Sequence, residues 1–140
     1  MNTETIIKKN IFQKFKRIHY SSSFDFDFPN LIEKMKLTRT WENGELNSLV
    51  LLKTPDKQLI LTAIHKNTEI KFNQENDKTI FQVIEGKLNF RTKEESINLE
   101  IGELITLRQN ISYNISSAEN SVFLITITNI NDYLKNNLIN

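Results

Sequence analysis

The sequence predicts an all-β fold, a sandwich or barrel, preceded by a short helical extension. Three observations carry this. Residues 37–128 break into nine short apolar or alternating segments separated by a few turn-like residues, the rhythm of a sandwich or barrel and not of βαβ units. Two of the three glycines, Gly86 and Gly102, fall between such segments. The chain has 140 residues, 39% of them hydrophobic, and no cysteine, so one core must form without disulfides.

The elements follow in chain order. Ile7, Ile11, Phe15 and Ile18 recur at helical spacing, so residues 4–18 read as an amphipathic helix. Five basic residues and one acidic residue give residues 1–20 a local charge of +4, read first as a solvated face and otherwise as an anion or membrane-surface patch. FDFDF (24–28) alternates strictly and reads as a short strand or an arm laid on an apolar surface, broken by Pro29-Asn30. LIEKMK (31–36) reads as one helical turn. Strands are expected at 48–54, 58–65, 69–72, 79–84, 87–92, 96–101, 103–107, 112–116 and 121–128. The second, QLILTAIH, is almost continuously apolar, which suits burial on both faces or a subunit contact. Glu85-Gly86 is expected to close a tight hairpin, since glycine accepts positive φ. The division is therefore an N-terminal helix and arm (1–36), a β-barrel (37–128) and a C-terminal tail or short helix (129–140).

Composition excludes several function classes. Without cysteine there is no thiolate zinc site, iron–sulfur cluster or cysteine nucleophile, and His19 and His65 cannot make a three-histidine centre. A net charge of +1 lacks the basic excess of a nucleic-acid-binding domain, so no nucleic-acid partner is expected. No apolar run reaches the ~20 residues that span a bilayer, so no membrane partner is expected. The N-terminus lacks the apolar stretch of a secretory signal, and a cytoplasmic protein is expected. There is no Gly-rich phosphate loop, G-x-S-x-G elbow or metalloprotease motif.

The segment QVIEGKLNFRTKEESINLEIGELITLRQNISYNISSAENSVFLITI resembles the second half of a small single-domain cupin. The resemblance covers roughly residues 45–128. It implies a double-stranded β-helix, or jelly-roll barrel. The family's first motif reads G-x5-H-x-H-x3,4-E-x6-G and its second G-x5-P-x-G-x2-H-x3-N, with three His and one Glu binding a divalent metal inside the barrel. Gly86 matches the closing glycine of the first motif; counting back with three intervening residues, Thr79 takes the Glu position, Glu75 and Asn73 the two His positions, and Asn67 the opening Gly. Gly102 matches the first glycine of the second motif, with Arg108 at the Pro, Asn110 at the second Gly, Tyr113 at the His and Ser117 at the final Asn. The spacing is kept and the ligands are not.

In this register Asn73 and Glu75 share one strand face, and with Thr79 and Tyr113 they would line the barrel interior. One carboxylate, an amide, a hydroxyl and a phenol make a poor transition-metal site, so no metal and no cofactor are expected. Glu75 and Tyr113 are the candidate catalytic pair, a carboxylate base beside a phenol donor, although the same two groups can equally satisfy each other. Asn73, Thr79, His65, Phe81, Phe90 and Arg108 are the candidate ligand pocket. His65 has two readings, a partner for Glu75 at the barrel mouth or a strand-end imidazole bonded to a backbone carbonyl. Arg108 and Arg91 each suit either a bidentate carboxylate or a surface pairing with Glu94, Glu95 or Glu103. Trp41 reads as core, with Phe72, Phe81 and Phe90.

The expected function is a cupin-like protein without the usual metal site: a homodimer holding a small organic ligand, or one with a structural or regulatory role. The alternative is an isomerase- or lyase-like enzyme acting through Glu75 and Tyr113 on a small polar substrate. The FDFDF arm and QLILTAIH are the expected dimer contact, an implication of the resemblance.

Overall fold

A computed structural model describes residues 25–75 and 77–129. The helix expected over 4–18, His19, Phe24 and the tail beyond Asn129 lie outside these residues. Two helices, α1 (Phe28–Lys36) and α2 (Arg39–Glu42), precede nine strands: β1 (Asn47–Lys53), β2 (Lys57–Ile64), β3 (Glu69–Gln74), β4 (Lys78–Glu85), β5 (Leu88–Arg91), β6 (Ser96–Leu99), β7 (Leu104–Thr106), β8 (Ile111–Ser116) and β9 (Ser121–Thr128). Each strand falls on one of the nine segments expected from the sequence. They form a five-stranded sheet ordered β1-β2-β9-β4-β7 and a four-stranded sheet ordered β3-β8-β5-β6, antiparallel throughout. This is a jelly roll.

The core lies between the sheets. Ile64, Phe81, Val83, Leu88, Phe90, Leu99, Leu107, Tyr113, Ile115 and Phe123 pack there as one buried cluster. Phe81 is its hub: its ring meets Phe90 at 5.2 Å and Phe72 at 5.6 Å edge-on, and Phe123 at 5.5 Å. Edge-to-face contacts set the positive rim of one ring against the negative face of the next.

A second cluster covers the outer face of the five-stranded sheet. Leu31, Ile32 and Met35 form one stripe of α1 and pack on Leu49, Leu51, Leu61, Ala63 and Val122. Asp27 caps α1, its side chain accepting from the Asn30 N–H at 3.2 Å, and Pro29 sits in the first turn where no N–H is needed. That cap is why FDFDF is not a strand: the alternation yields to a helix starting at Phe28, while Phe26 and Phe28 still pack against the apolar surface. Leu61 and Ala63 of β2 face α1 while Ile64 faces the barrel, so QLILTAIH is apolar because both its faces are covered within the chain. Thr38 and Asn47 tie the helix end to β1: Thr38 Oγ1 donates to the Met35 carbonyl at 2.8 Å, and Asn47 Nδ2 donates to the same carbonyl at 3.1 Å and to Thr38 Oγ1 at 3.0 Å.

The four-stranded sheet turns a polar face outward. Asn89 Nδ2 lies 2.8 Å from both Ser96 Oγ and Asn98 Oδ1, and Ser112 Oγ donates to Asn73 Oδ1 at 2.7 Å. Gly86 takes φ +81°, but β4 and β5 lie in different sheets, so its turn is a corner between sheets and not the expected hairpin. An added Cβ there would lie 2.3 Å from Ser121 Oγ and 2.5 Å from the Asn120 carbonyl, so this corner admits no side chain.

Candidate functional site: the barrel mouth

The register gives the barrel one filled end and one more open end. Ile64 pairs with Ser121 at the filled end, and Lys57 pairs with Thr128 at the other. Towards the filled end Ile64, Val83 and Phe123 are at most 1% exposed. Towards the mouth, inward-facing Ile111 and Ile125 are only half-buried. Gln74 ends β3 at this mouth, opposite Ile111, and Thr79 pairs with Ile127 on the facing sheet.

Along β3 exposure alternates: Ile70 and Phe72 pack into the core cluster and Gln74 is 2% exposed, whereas Glu69, Lys71 and Asn73 face solvent. Asn73 is therefore on the outer face, bonded to Ser112, and Glu75 follows the strand end as an exposed residue. This corrects the inward placement of both. The motif allows three or four residues between its second His and its Glu, and the chain uses four. Thr79 keeps the Glu position, but the two His positions fall on Phe72 and Gln74. A shift of one residue moves a strand's side chains to its other face. The apolar alternation of Ile70 and Phe72 was the signal in the sequence that marks the inner face.

The interior positions are thus Phe72, Gln74, Thr79 and Tyr113. Phe72 and Tyr113 are cross-strand partners. Tyr113 is 5% exposed, and its hydroxyl accepts from the Arg108 N–H at 3.0 Å. Thr79 is 1% exposed, and its carbonyl accepts from the Leu107 N–H at 2.9 Å. Gln74 Nε2 donates to the Asp77 carbonyl, and Gln74 Oε1 is buried with no partner among the described residues. These residues do not fit a divalent transition metal: one is a phenyl ring, none is an imidazole or carboxylate, and the phenol is held by the backbone. Among the described residues no three His, Cys, Asp or Glu side chains come together.

His65 lies at the other end of the barrel. Its Nε2–H donates to the Trp41 carbonyl at 2.8 Å and its ring stacks on the Trp41 indole at 3.6 Å. The Thr68 N–H donates to the His65 carbonyl at 3.2 Å, and β3 then runs six residues to Gln74, about 20 Å at ~3.3 Å per residue. His65 and Glu75 thus share no site, and His65 does not line the mouth. Glu75 makes no hydrogen bond to Tyr113, so the two are not arranged as a base and its donor. Phe81 and Phe90, each 1% exposed, are packed beneath the mouth and not open to a ligand. Trp41, placed in the core by the sequence, is half-buried: it packs against the helix-side cluster and serves as the stacking partner of His65. Arg91 faces Glu69 at 3.8 Å and none of the three acids considered from the sequence. Arg108 is exposed beside the mouth.

One backbone position supports the alignment. Asn110 (φ 60°) stands where the second motif carries its second glycine; Asn67 (φ 66°), the other non-glycine residue with positive φ among those described, falls one residue past the opening glycine position once the His positions move to Phe72 and Gln74. Asparagine tolerates that region better than other side chains.

The jelly-roll topology, the turns at Gly86 and Gly102 and the inward set at the mouth define a chain with the cupin fold. No protein-family model and no curated protein matches it. Solved structures do. A cupin-2 domain protein from Shewanella frigidimarina superposes with a TM-score of 0.59 at 17% identity, covering 72% of this chain and 91% of that one. The cupin domain of Schizosaccharomyces pombe Cnp3 gives 0.58 at 14% identity, covering 66% and 70%. The Clostridium difficile EutQ protein gives 0.55 at 18% identity, covering 69% and 71%. At such identities the likeness concerns the fold, and cupin barrels host many activities. No helix among the described residues is long and apolar enough to cross a membrane.

Proposed function

We propose that the chain is a metal-independent cupin-fold binding protein, a cytoplasmic homodimer that receives a small organic ligand at the barrel mouth. One observation carries this reading: the inward positions of the family's metal centre hold Phe72, Gln74, Thr79 and Tyr113, a set with no metal-binding chemistry and an apolar base. A half-buried apolar rim with a few polar atoms is the usual make-up of a small-molecule site. Gln74 Oε1, unpartnered among the described residues, is a hydrogen-bond acceptor in this wall, and buried acceptors are rarely left unpaired. The dimer contact is assigned away from β2, which α1 covers, to the side of the edge strand β7, where Ile101 is 68% and Leu104 56% exposed.

Elemental analysis of protein expressed in metal-rich medium tests the metal-free part; about one tightly held Mn, Fe, Ni or Zn per chain overturns it. A panel of small organic compounds, read by amide NMR shifts at Phe72, Gln74 and Thr79, tests the ligand part. Saturable shifts at these amides are expected, and none across the panel overturns it. Light scattering is expected to give twice the mass of the chain, and a monomer at micromolar concentration removes the dimer.

A further inference from the structure

Beside the mouth, the β5–β6 turn and the β7–β8 turn enclose an open groove of about 350 Å3. Its polar lining comprises Thr92, Lys93 and Glu94 from one turn and Arg108, Asn110 and Ser112 from the other. We propose that this groove binds the carboxylate of a small organic monocarboxylic acid. The inference rests on the reading of the chain as a small-molecule binding protein and names the ligand class.

Both turns are held in place before any ligand arrives. The Thr92 N–H donates to the Glu95 carbonyl at 2.9 Å, and Thr92 Oγ1 accepts from the Glu94 and Glu95 N–H groups at 3.2 and 3.1 Å. Opposite, the Asn110 N–H donates to the Gln74 carbonyl at 2.7 Å, and the Arg108 N–H is fixed to the buried Tyr113 hydroxyl. The bases of the two cationic side chains are therefore positioned by the backbone, which lowers the ordering cost of binding.

The cations of the groove are not ion-paired among the described residues. The ion pairs among the described residues are Lys36–Glu85, Lys87–Glu100 and Arg91–Glu69, so neither Lys93 nor Arg108 lies within ion-pair distance of a described acid. Arginine presents a planar fork of donors that matches a carboxylate, and lysine adds a point charge. Glu94 reduces the groove's formal charge to +1, which suits one carboxylate and opposes a dianion such as phosphate. The volume is at the lower end of the range for small-molecule sites, roughly 300–1,000 Å3.

The test is an amide NMR titration of the full chain with benzoate, with benzyl alcohol as its neutral counterpart, and with chloride and phosphate at matched ionic strength. Benzoate is expected to shift the amides of residues 92–94 and 108–112 saturably. Chloride and benzyl alcohol are expected to leave them unmoved, and phosphate to bind more weakly. Arg108→Gln and Lys93→Gln are each expected to weaken benzoate about tenfold, the loss of one charge-assisted bond. Both side chains are exposed, so unchanged unfolding midpoints are expected to confirm the fold. Absence of saturable shifts at these amides, an equal response to chloride, or unaltered affinity in Arg108→Gln overturns the assignment. Shifts from both organic probes confined to Phe72 and Gln74 also overturn the groove while leaving the binding-protein reading standing. Silence of both probes removes the groove alone, because the wider panel described above tests the parent reading separately.

Discussion

The imidazole of His65 lies flat on the indole of Trp41, ring centroids 3.6 Å apart and planes 19° from parallel, while its Nε2–H bonds the Trp41 carbonyl. A short helix, capped by Thr38 through the Trp41 N–H at 3.3 Å, is thereby fastened to the end of β2. Both contacts are structural, and both sit at the filled end of the barrel.

His65→Ala removes the stack and the hydrogen bond together. It is expected to cost about 1–3 kcal/mol, from a ring contact of roughly 0.5–1.5 and a bond of similar size. Trp41 is the only tryptophan, so its fluorescence reports the loss directly. Ligand binding at the mouth is expected to be unaffected. A variant that abolishes such binding while keeping wild-type stability would contradict the placement of His65.

Restoring ligands distinguishes the two registers. Phe72→His, Gln74→His, Thr79→Glu and Tyr113→His combined are expected to create a site that binds Co(II) with tetrahedral or five-coordinate absorption bands. The same exchange with Asn73→His and Glu75→His in place of the first two is expected to leave Co(II) unbound by the barrel, because those side chains face solvent. Equal binding by both variants would show that β3 does not hold the observed register.

The turn glycines Gly86 and Gly102 are not equivalent in their surroundings. Gly102→Ala meets open space and is expected to cost only the positive-φ penalty, about 1–2 kcal/mol. Gly86→Ala adds a clash with Ser121 and the Asn120 carbonyl, a further overpacking cost of about 1–3 kcal/mol. Urea denaturation of both variants checks the order; a smaller loss at Gly86 would refute it.

Tyr113→Phe removes the acceptor of the Arg108 N–H without changing the packed ring. A loss of about 1–2 kcal/mol is expected. Hydrogen exchange at the Arg108 amide is expected to accelerate, and benzoate binding to weaken as Arg108 loses its anchor. An unchanged Arg108 exchange rate would show that the hydroxyl does not hold that loop.

Strand positions were legible because they depend on local pattern: alternation in INLEI, the apolar run of SVFLITIT, glycine where φ must be positive. The helix at 28–36 was half legible, since FDFDF alternates like a strand and the choice was made by the Asp27 cap and by burial of Leu31, Ile32 and Met35 against the sheet. The site was legible in its spacing and not in its facing. One permitted extra residue before Thr79 exchanges Asn73 and Glu75 for Phe72 and Gln74, and periodicity alone resolves that only when the apolar face of a six-residue strand is weighed. The strand-end reading of His65, an imidazole bonded to a backbone carbonyl, holds, but its partner was beyond sequence because Trp41, which supplies both the carbonyl and the stacking ring, lies 24 positions earlier in the chain.

By itself, then, the sequence determined an all-β chain with the cupin rhythm, closed without cysteine and with the family's His ligand positions taken by other residues, because composition and short-range periodicity are properties of the chain. The tertiary structure alone decided which side chains share a space: Gln74 inward and Glu75 outward, His65 and Glu75 at opposite ends of β3, Lys93 and Arg108 across one groove. Those relations depend on sheet register and on crossings between two sheets, which join residues far apart in sequence and leave no local trace.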